Sequence, residues 1–303
     1  MAAVIQVEHL RKVYGDTVAV DDVSFSVEGG EIFGIVGPNG AGKTTTLESI
    51  IGLRHPDEGT IRALGLDPTR QEDKLQERIG IQLQEAALPE LIKVWEALDL
   101  FSAFFKKTVD WEPLLDQWGL SDKRNAKFGK LSGGQKHRLF IALALLNDPE
   151  AVFLDELTTG LDPQARRDTW DLVRAIREQG KTVVLVTHFM DEAQELCDRV
   201  AIIDRGRIVA LDTPQALIQQ IQAESQVSFT VPPGFDSASL KALPEVSRVS
   251  EEGNKVSVFG RGALLAKVAT ALAQRNLAPS DMRSVQANLE DVFLALTGRQ
   301  IRD

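Results

Sequence analysis

The stretch Gly37-Pro38-Asn39-Gly40-Ala41-Gly42-Lys43-Thr44-Thr45 constrains the fold of this chain more than any other. Its G-x-x-x-x-G-K-[ST] pattern needs a strand before it and a helix after it. Both flanks read that way: the apolar run Ile32–Val36 as a buried strand, and Thr44 to Leu53 as a helix. Glycines at 37, 40 and 42 let successive backbone N–H groups turn inward as a nest for an anion, and the following helix aims its positive N-terminus at the same point. Lys43 then reaches the β- and γ-phosphates of a nucleotide, and the Thr44 hydroxyl reaches a Mg²⁺ ion.

A chain of 303 residues has room for one large or two modest domains, each with its own core. With 43% hydrophobic and 26% charged residues it reads as an ordinary globular sequence, not a disordered or fibrous one. No apolar run approaches the roughly 18 residues that cross a bilayer, and Met1–Leu10 lacks the basic-then-apolar layout of a signal peptide. The expectation is a chain that stays in the cytosol unless a partner holds it elsewhere. The single cysteine, Cys197, excludes an internal disulfide and argues against a cysteine-built metal site; a small apolar filler is its plainer role. A net charge of −10 speaks against a general grip on nucleic acid, which needs a basic surface.

Along the chain, Val4–Glu8 and Val18–Val27 alternate apolar and polar positions, the pattern of antiparallel strands with one wet face. Tyr14, the only tyrosine, lies between them and either stacks on a nucleotide base or covers the sheet edge. A turn at Pro56–Gly59 leads to a strand over Thr60–Ala63, and a further strand, Ile79–Leu83, ends in Gln84 and Glu85. The C-terminal edge of an α/β sheet is where ligands bind, although Gln84 taken alone is more simply a solvated loop residue. Leu91 to Leu146 reads as helical, with Trp95, Leu98, Leu100, Phe101, Phe104 and Phe105 giving a broad apolar surface. Within it, Leu131-Ser132-Gly133-Gly134-Gln135 precedes an apolar helix. Ser132 caps that helix, and the paired glycines leave its first N–H groups open; an ordinary cap and a second anion-seeking helix start both fit.

The buried run Ala151–Leu154 delivers Asp155 and Glu156 at a strand end. Adjacent carboxylates there are costly unless they hold a cation or a proton in transit. Asp155 on Mg²⁺ and Glu156 as the base that polarises water is one reading; an acidic pair capping a helix is the other, and accounts less easily for both. Thr182–Val186 is another β-branched strand, ending in Thr187 and His188, where a structural histidine and a γ-phosphate contact are equally acceptable.

Together these residues resemble an ATP-binding-cassette (ABC) ATPase, the nucleotide-hydrolysing subunit of a transporter, from about Val4 to Leu217. In that family Gly37–Thr45 corresponds to Walker A, Leu131–Gln135 to the signature, and Ala151–Glu156 to Walker B. Tyr14 corresponds to the base-stacking aromatic, Gln84 to the glutamine loop, Leu161-Asp162 to the loop after Walker B, and His188 to the switch histidine. The resemblance implies an α/β fold: a P-loop NTPase cassette with a mixed core sheet, an antiparallel β subdomain and a helical signature subdomain at about 86–146, together filling 1–223. It implies ATP and Mg²⁺ as ligands, with Thr44, Gln84 and Asp155 at the metal and Lys43, Gln84, Glu156 and His188 in catalysis. It implies a head-to-tail homodimer in which Ser132–Gln135 meet the γ-phosphate held by the other copy's Lys43.

One departure is visible: Leu157 stands after Asp155-Glu156 where the family usually has proline. Leucine keeps the bulk but frees φ, so turn stiffness changes and hydrolysis is expected to persist. Residues 224–303 read as strand Val227–Val231, helix Ser237–Leu243, strands Val246–Ser250 and Lys255–Phe259, helix Ala263–Gln274, strand Met282–Gln286 and helix Leu289–Leu296. That βαββαβ order resembles a ferredoxin-like α+β unit. The run Asn288–Leu294 and Thr158–Pro163 are similar to ATPases serving ABC-2 exporters of the daunorubicin-resistance type. That resemblance implies integral membrane permease subunits as partners, a peripheral location on the cytoplasmic face of the membrane, and export of a drug, lipid or other amphiphile. A soluble cassette acting on ribosomes or DNA, and an importer ATPase, are the alternatives; no nucleic-acid partner is expected.

Overall fold

The computed structural model describes residues 3–84, 86–221, 225–232, 235–285 and 287–299. The expected domain boundary at 223/224, together with Glu85 and Gln286, lies outside the described residues. The chain divides into two compact units, Met1–Pro214 and Gln215–Gln300.

The first unit begins with β1 (Ala3–Tyr14), β2 (Thr17–Glu28), β3 (Ile32–Val36), α1 (Lys43–Ile50) and β4 (Glu58–Ala63). It continues through α2 (Glu72–Gln76), β5 (Ile79–Gln82), α3 (Val94–Ser102), α4 (Trp111–Gln117) and α5 (Gly133–Ala144). It closes with β6 (Ala151–Asp155), α6 (Pro163–Glu178), β7 (Thr182–Thr187), α7 (Met190–Leu196), β8 (Arg199–Asp204) and β9 (Arg207–Asp212). The strand expected over Val4–Glu8 runs on to Tyr14, because register shifts at Val7/Leu10 and Leu10/Lys12 let it keep pairing with β2 through its polar positions. The helical stretch expected over Leu91–Leu146 is broken into separate helices. Gly119 sits at φ +61° after α4, and two short 3₁₀ turns, Ser121–Lys123 and Phe128–Lys130, interrupt the chain before α5.

Two sheets carry this unit. One is antiparallel, in the order β2-β1-β4. The other runs β5-β6-β7-β3-β8-β9, parallel throughout except for β9 against β8. Every residue of β3, β6 and β7 is buried, as expected of strands covered on both faces. The core joins the antiparallel sheet to α1 and the large sheet: Ile5, Val7, Val23 and Val27 pack with Leu47, Ile50, Phe33 and Phe153. Phe25 and Phe33 stack at 5.1 Å between centroids. Each fully buried side chain of this size contributes about 1.5–3 kcal/mol.

α8 (Pro214–Gln220) begins at the division between the units. The second unit then runs β10 (Ser225–Thr230), α9 (Ala238–Lys241), β11 (Val246–Glu252), β12 (Lys255–Gly260), α10 (Leu264–Ala273), β13 (Arg283–Val285) and α11 (Leu289–Thr297). Its antiparallel sheet has the order β11-β12-β10-β13. Val227, Phe229, Val256 and Val258 pack against Leu240, Leu264, Val268 and Leu272, the apolar faces of α9 and α10.

Candidate functional site

In the large sheet, β5, β6, β7 and β3 are consecutive neighbours and parallel, so the segments leaving their C-terminal ends converge. The loop after β3 holds Gly37–Gly42, the turn after β5 holds Gln84, the turn after β6 holds Glu156, and His188 follows β7 directly.

The glycine-rich loop is fixed by close backbone approaches. A Cβ on Gly37 would lie 2.1 Å from the Ile203 carbonyl oxygen, and one on Gly42 would lie 2.3 Å from that of Ala19. Both glycines have positive φ, 157° and 101°, so no side chain fits either position. Gly42 is the N-cap of α1 and offers no side-chain cap, which leaves the first N–H groups of that helix aimed into the loop. Asn39 and Gly40 are exposed at the mouth; Pro38, Thr44 and Thr45 are half-buried, and Ala41 is buried. The Lys43 side chain is 4% exposed; its Nζ donates to the Pro38 carbonyl at 3.1 Å and lies 3.8 Å from Glu156 Oε1. Burial pulls its ammonium below the ordinary lysine range, against the opposing pull of the Glu156 and Asp155 carboxylates.

Asp155 is buried, and neither of its carboxylate oxygens has a hydrogen-bond partner of good geometry. Burial, then the adjacent Glu156 charge, pushes its pKa up to about 6; the Thr44 hydroxyl and Lys43 act in the other direction. Glu156 sits in the left-handed region at φ 49°, an unfavourable backbone for a residue with a Cβ, and this turns its carboxylate back across the strand ends. Glu156 Oε2 accepts from Gln84 Nε2 at 3.0 Å and from the Thr159 hydroxyl at 3.4 Å. His188 Nδ1 lies 3.1 Å from Glu156 Oε1, at an angle outside hydrogen-bond geometry. Lys43, Gln84 and His188 therefore all meet at one carboxylate.

Other expected residues stand apart from that cluster. Tyr14 ends β1, 41% exposed, with its ring flanked by Lys12 Nζ at 5.6 Å and the Arg54 guanidinium at 6.0 Å. Ser132 is the N-cap of α5: its Oγ accepts from Gln135 N at 3.3 Å, while Gln135 Oε1 accepts from Ser132 N at 3.0 Å. Ser132 and Gly133 are exposed and Gly134 is half-buried. Asp162 caps α6, accepting at 3.0 Å from the backbone N–H groups of Gln164 and Ala165. Leu157, where proline was the family expectation, is fully buried. Thr159 and Phe189 also join the site, touching Glu156 and His188; a polar residue three positions after Glu156 and an aromatic beside His188 are the only local sequence signals for them.

The ABC transporter family matches residues 20–159. The chain is 40% identical over 307 residues to Nod factor export ATP-binding protein I of Burkholderia orbicola (strain AU 1054), covering 99% of both chains. A protein of the same name from Sinorhizobium fredii (strain NBRC 101917 / NGR234) is 38% identical over 99% of this chain and 87% of its own length. Among solved structures, the ADP conformation of an ATP-binding cassette of an ABC transporter matches with a TM-score of 0.65 and 27% identity, over 73% of this chain and 95% of that one. A dimeric post-hydrolysis cassette bound to ADP and Pi matches with a TM-score of 0.62 and 28% identity, over 69% and 98%. The chain belongs to the ABC transporter family, as an ATP-binding subunit that hydrolyses ATP to power transport.

Proposed function

We propose that this ATPase energises an exporter of the ABC-2 type through membrane subunits that are separate chains, and that it works as a homodimer at the cytoplasmic face of the membrane. Export is supported by relatives named for it that align along 99% of this chain, the second unit included. No helix of the described residues is long and apolar enough to cross a membrane, so a membrane path has to come from partners. Pairing is supported by the solved dimeric cassette and by the exposed start of α5 at Ser132–Gln135, which closes the γ-phosphate site of a second copy. The cargo class is an amphiphile, a drug or a lipid. We read residues 224–303 as a ferredoxin-like accessory domain that follows, in sequence, a cassette of 1–223.

The observation that carries the catalytic reading is the convergence of Lys43, Gln84 and His188 on the buried carboxylate of Glu156. The N–H groups of Gly37–Thr45 and the Lys43 ammonium hold the β- and γ-phosphates, and Tyr14 stacks on the base. Glu156 orients and deprotonates the attacking water, His188 holds the γ-phosphate and that water, and Asp162 contributes to nucleotide binding. The residues fit Mg²⁺: the two oxygens of Asp155 are buried without partners, and the Thr44 hydroxyl is beside them. Among the described residues no group of three or more His, Cys, Asp or Glu could form a full metal cage, which suits an ion held by few protein ligands plus phosphate oxygens. Thr44, Asp155 and Gln84 would hold the ion, which when bound neutralises charge on the phosphates.

The test is ATP turnover and co-purification. Purified protein hydrolyses ATP, Glu156→Gln does not, and the parent co-purifies with a polytopic membrane protein. Equal turnover in the variant would sink the catalytic assignment, and co-purification with ribosomes would sink export.

A further inference from the structure

We infer that Arg166 and Phe189 are positioning residues that hold His188 against Glu156. The Phe189 ring touches both other groups: the Arg166 guanidinium carbon is 4.1 Å from its centroid, and the His188 ring centroid is 4.1 Å away at an interplanar angle of 39°. The column ends where His188 Nδ1 comes within 3.1 Å of Glu156 Oε1. A planar guanidinium over an aromatic face is attracted by the ring quadrupole and restrains the ring's tilt.

Phe189 occupies the N-cap of α7, a position where Ser, Thr, Asp or Asn would bond the helix end and where phenylalanine cannot. The N–H of Phe189 donates to the Thr187 hydroxyl at 3.0 Å, which fixes the backbone that carries the ring. A flat apolar residue at this site thus forgoes a cap and supplies a face for the imidazole. The Arg166 guanidinium is held by Asp191 at 3.1 Å, and its backbone is fixed in the first turn of α6, where its N–H donates to the Asp162 carbonyl at 2.9 Å. Two further rungs keep α6 and α7 in register: Trp170 Nε1 donates to the buried Glu192 at 3.0 Å, and Arg174 pairs with Glu195 at 2.6 Å. With the ring face gone, the imidazole is free to swing about χ1 and χ2 away from Glu156.

The inference rests on the reading of His188 as part of the hydrolytic site, so His188→Ala is measured alongside. In steady-state ATPase assays on the full chain, Phe189→Leu and Arg166→Met each lower kcat about tenfold with KM for ATP within about twofold, since misplacing a group of the site affects the chemical step more than substrate binding. The double variant falls no further than the worse single, and Phe189→Tyr, which keeps the flat face, restores kcat. Arg166→Met, whose parent side chain reaches the surface, carries the same test should Phe189→Leu melt early. Parental kcat in both singles while His188→Ala loses turnover overturns the column alone, as do losses that multiply in the double variant. Full turnover in His188→Ala overturns the site reading beneath it.

Discussion

Gln84 Nε2 donates a 3.0 Å hydrogen bond to Glu156 Oε2, joining the turn after β5 to the turn after β6 across 72 residues of sequence. The bond orients the carboxylate proposed to act on water. Gln84→Ala is expected to lower kcat about tenfold while affinity for Mg²⁺-free nucleotide holds, because orientation of the carboxylate is lost and the phosphate loop is untouched. Steady-state kinetics with a fluorescent-nucleotide titration reads both quantities.

Glu156→Gln keeps the shape of the site and removes the base. Turnover is expected to fall by a factor of about 10² to 10⁴, the usual contribution of a positioned general base. ATP then persists in the paired sites, so size-exclusion chromatography with ATP·Mg²⁺ should reveal a dimer peak that the parent does not accumulate.

Asp155 gives a pH-dependent prediction. Its pKa of about 6 in the folded chain stands above the ordinary 3.8, so between those values the folded state holds a proton that the unfolded state has released. Stability of the nucleotide-free chain from this group therefore declines as pH rises from about 4 to about 6 and is flat above. Asp155→Asn should melt higher than the parent at pH 7 to 8, with the gap closing as pH falls towards 4. ATP·Mg²⁺ should raise the parent's melting temperature and do little for the variant.

Tyr14→Ala is expected to raise the Kd for ATP about fivefold to a hundredfold, from the roughly 1–3 kcal/mol of base stacking. Tyr14→Trp should retain affinity. An unchanged Kd in the alanine variant would return Tyr14 to an edge-covering role.

Gly80 tests the packing of β5 on α5. A Cβ there would lie 2.0 Å from the Ala144 carbonyl oxygen, a backbone atom with little freedom to yield. Gly80→Ala is expected to cost about 3 kcal/mol, near the upper range of overpacking, and to lower Tm by roughly 6–12 °C. Differential scanning calorimetry of the nucleotide-free chain measures it.

The sequence by itself determined the chemistry of the parts. The glycine spacing and flanks of Gly37–Thr44 required strand, loop and helix, and β3 and α1 stand where the pattern needs them. The buried runs before Asp155 and His188 read as strands because short apolar stretches without polar alternation suit a sheet covered on both faces. α6 and α7 carry no nucleotide motif: α6 is a strongly amphipathic helix burying Thr169, Val173 and Ile176, and that pattern says nothing of the contact its Arg166 makes on Phe189.

Only the tertiary structure decided which strand ends meet. Pattern tells that a strand is buried but carries no information on its neighbours, and β3 pairs with β7 across some 150 residues while β6 takes the next place outward. That order, fixed by the packing of the whole sheet, brings Lys43 to 3.8 Å and His188 to 3.1 Å from the same Glu156 carboxylate. The positive φ that turns Glu156 inward is equally invisible in the sequence, since a strained backbone is held by its surroundings and not by the residue that adopts it.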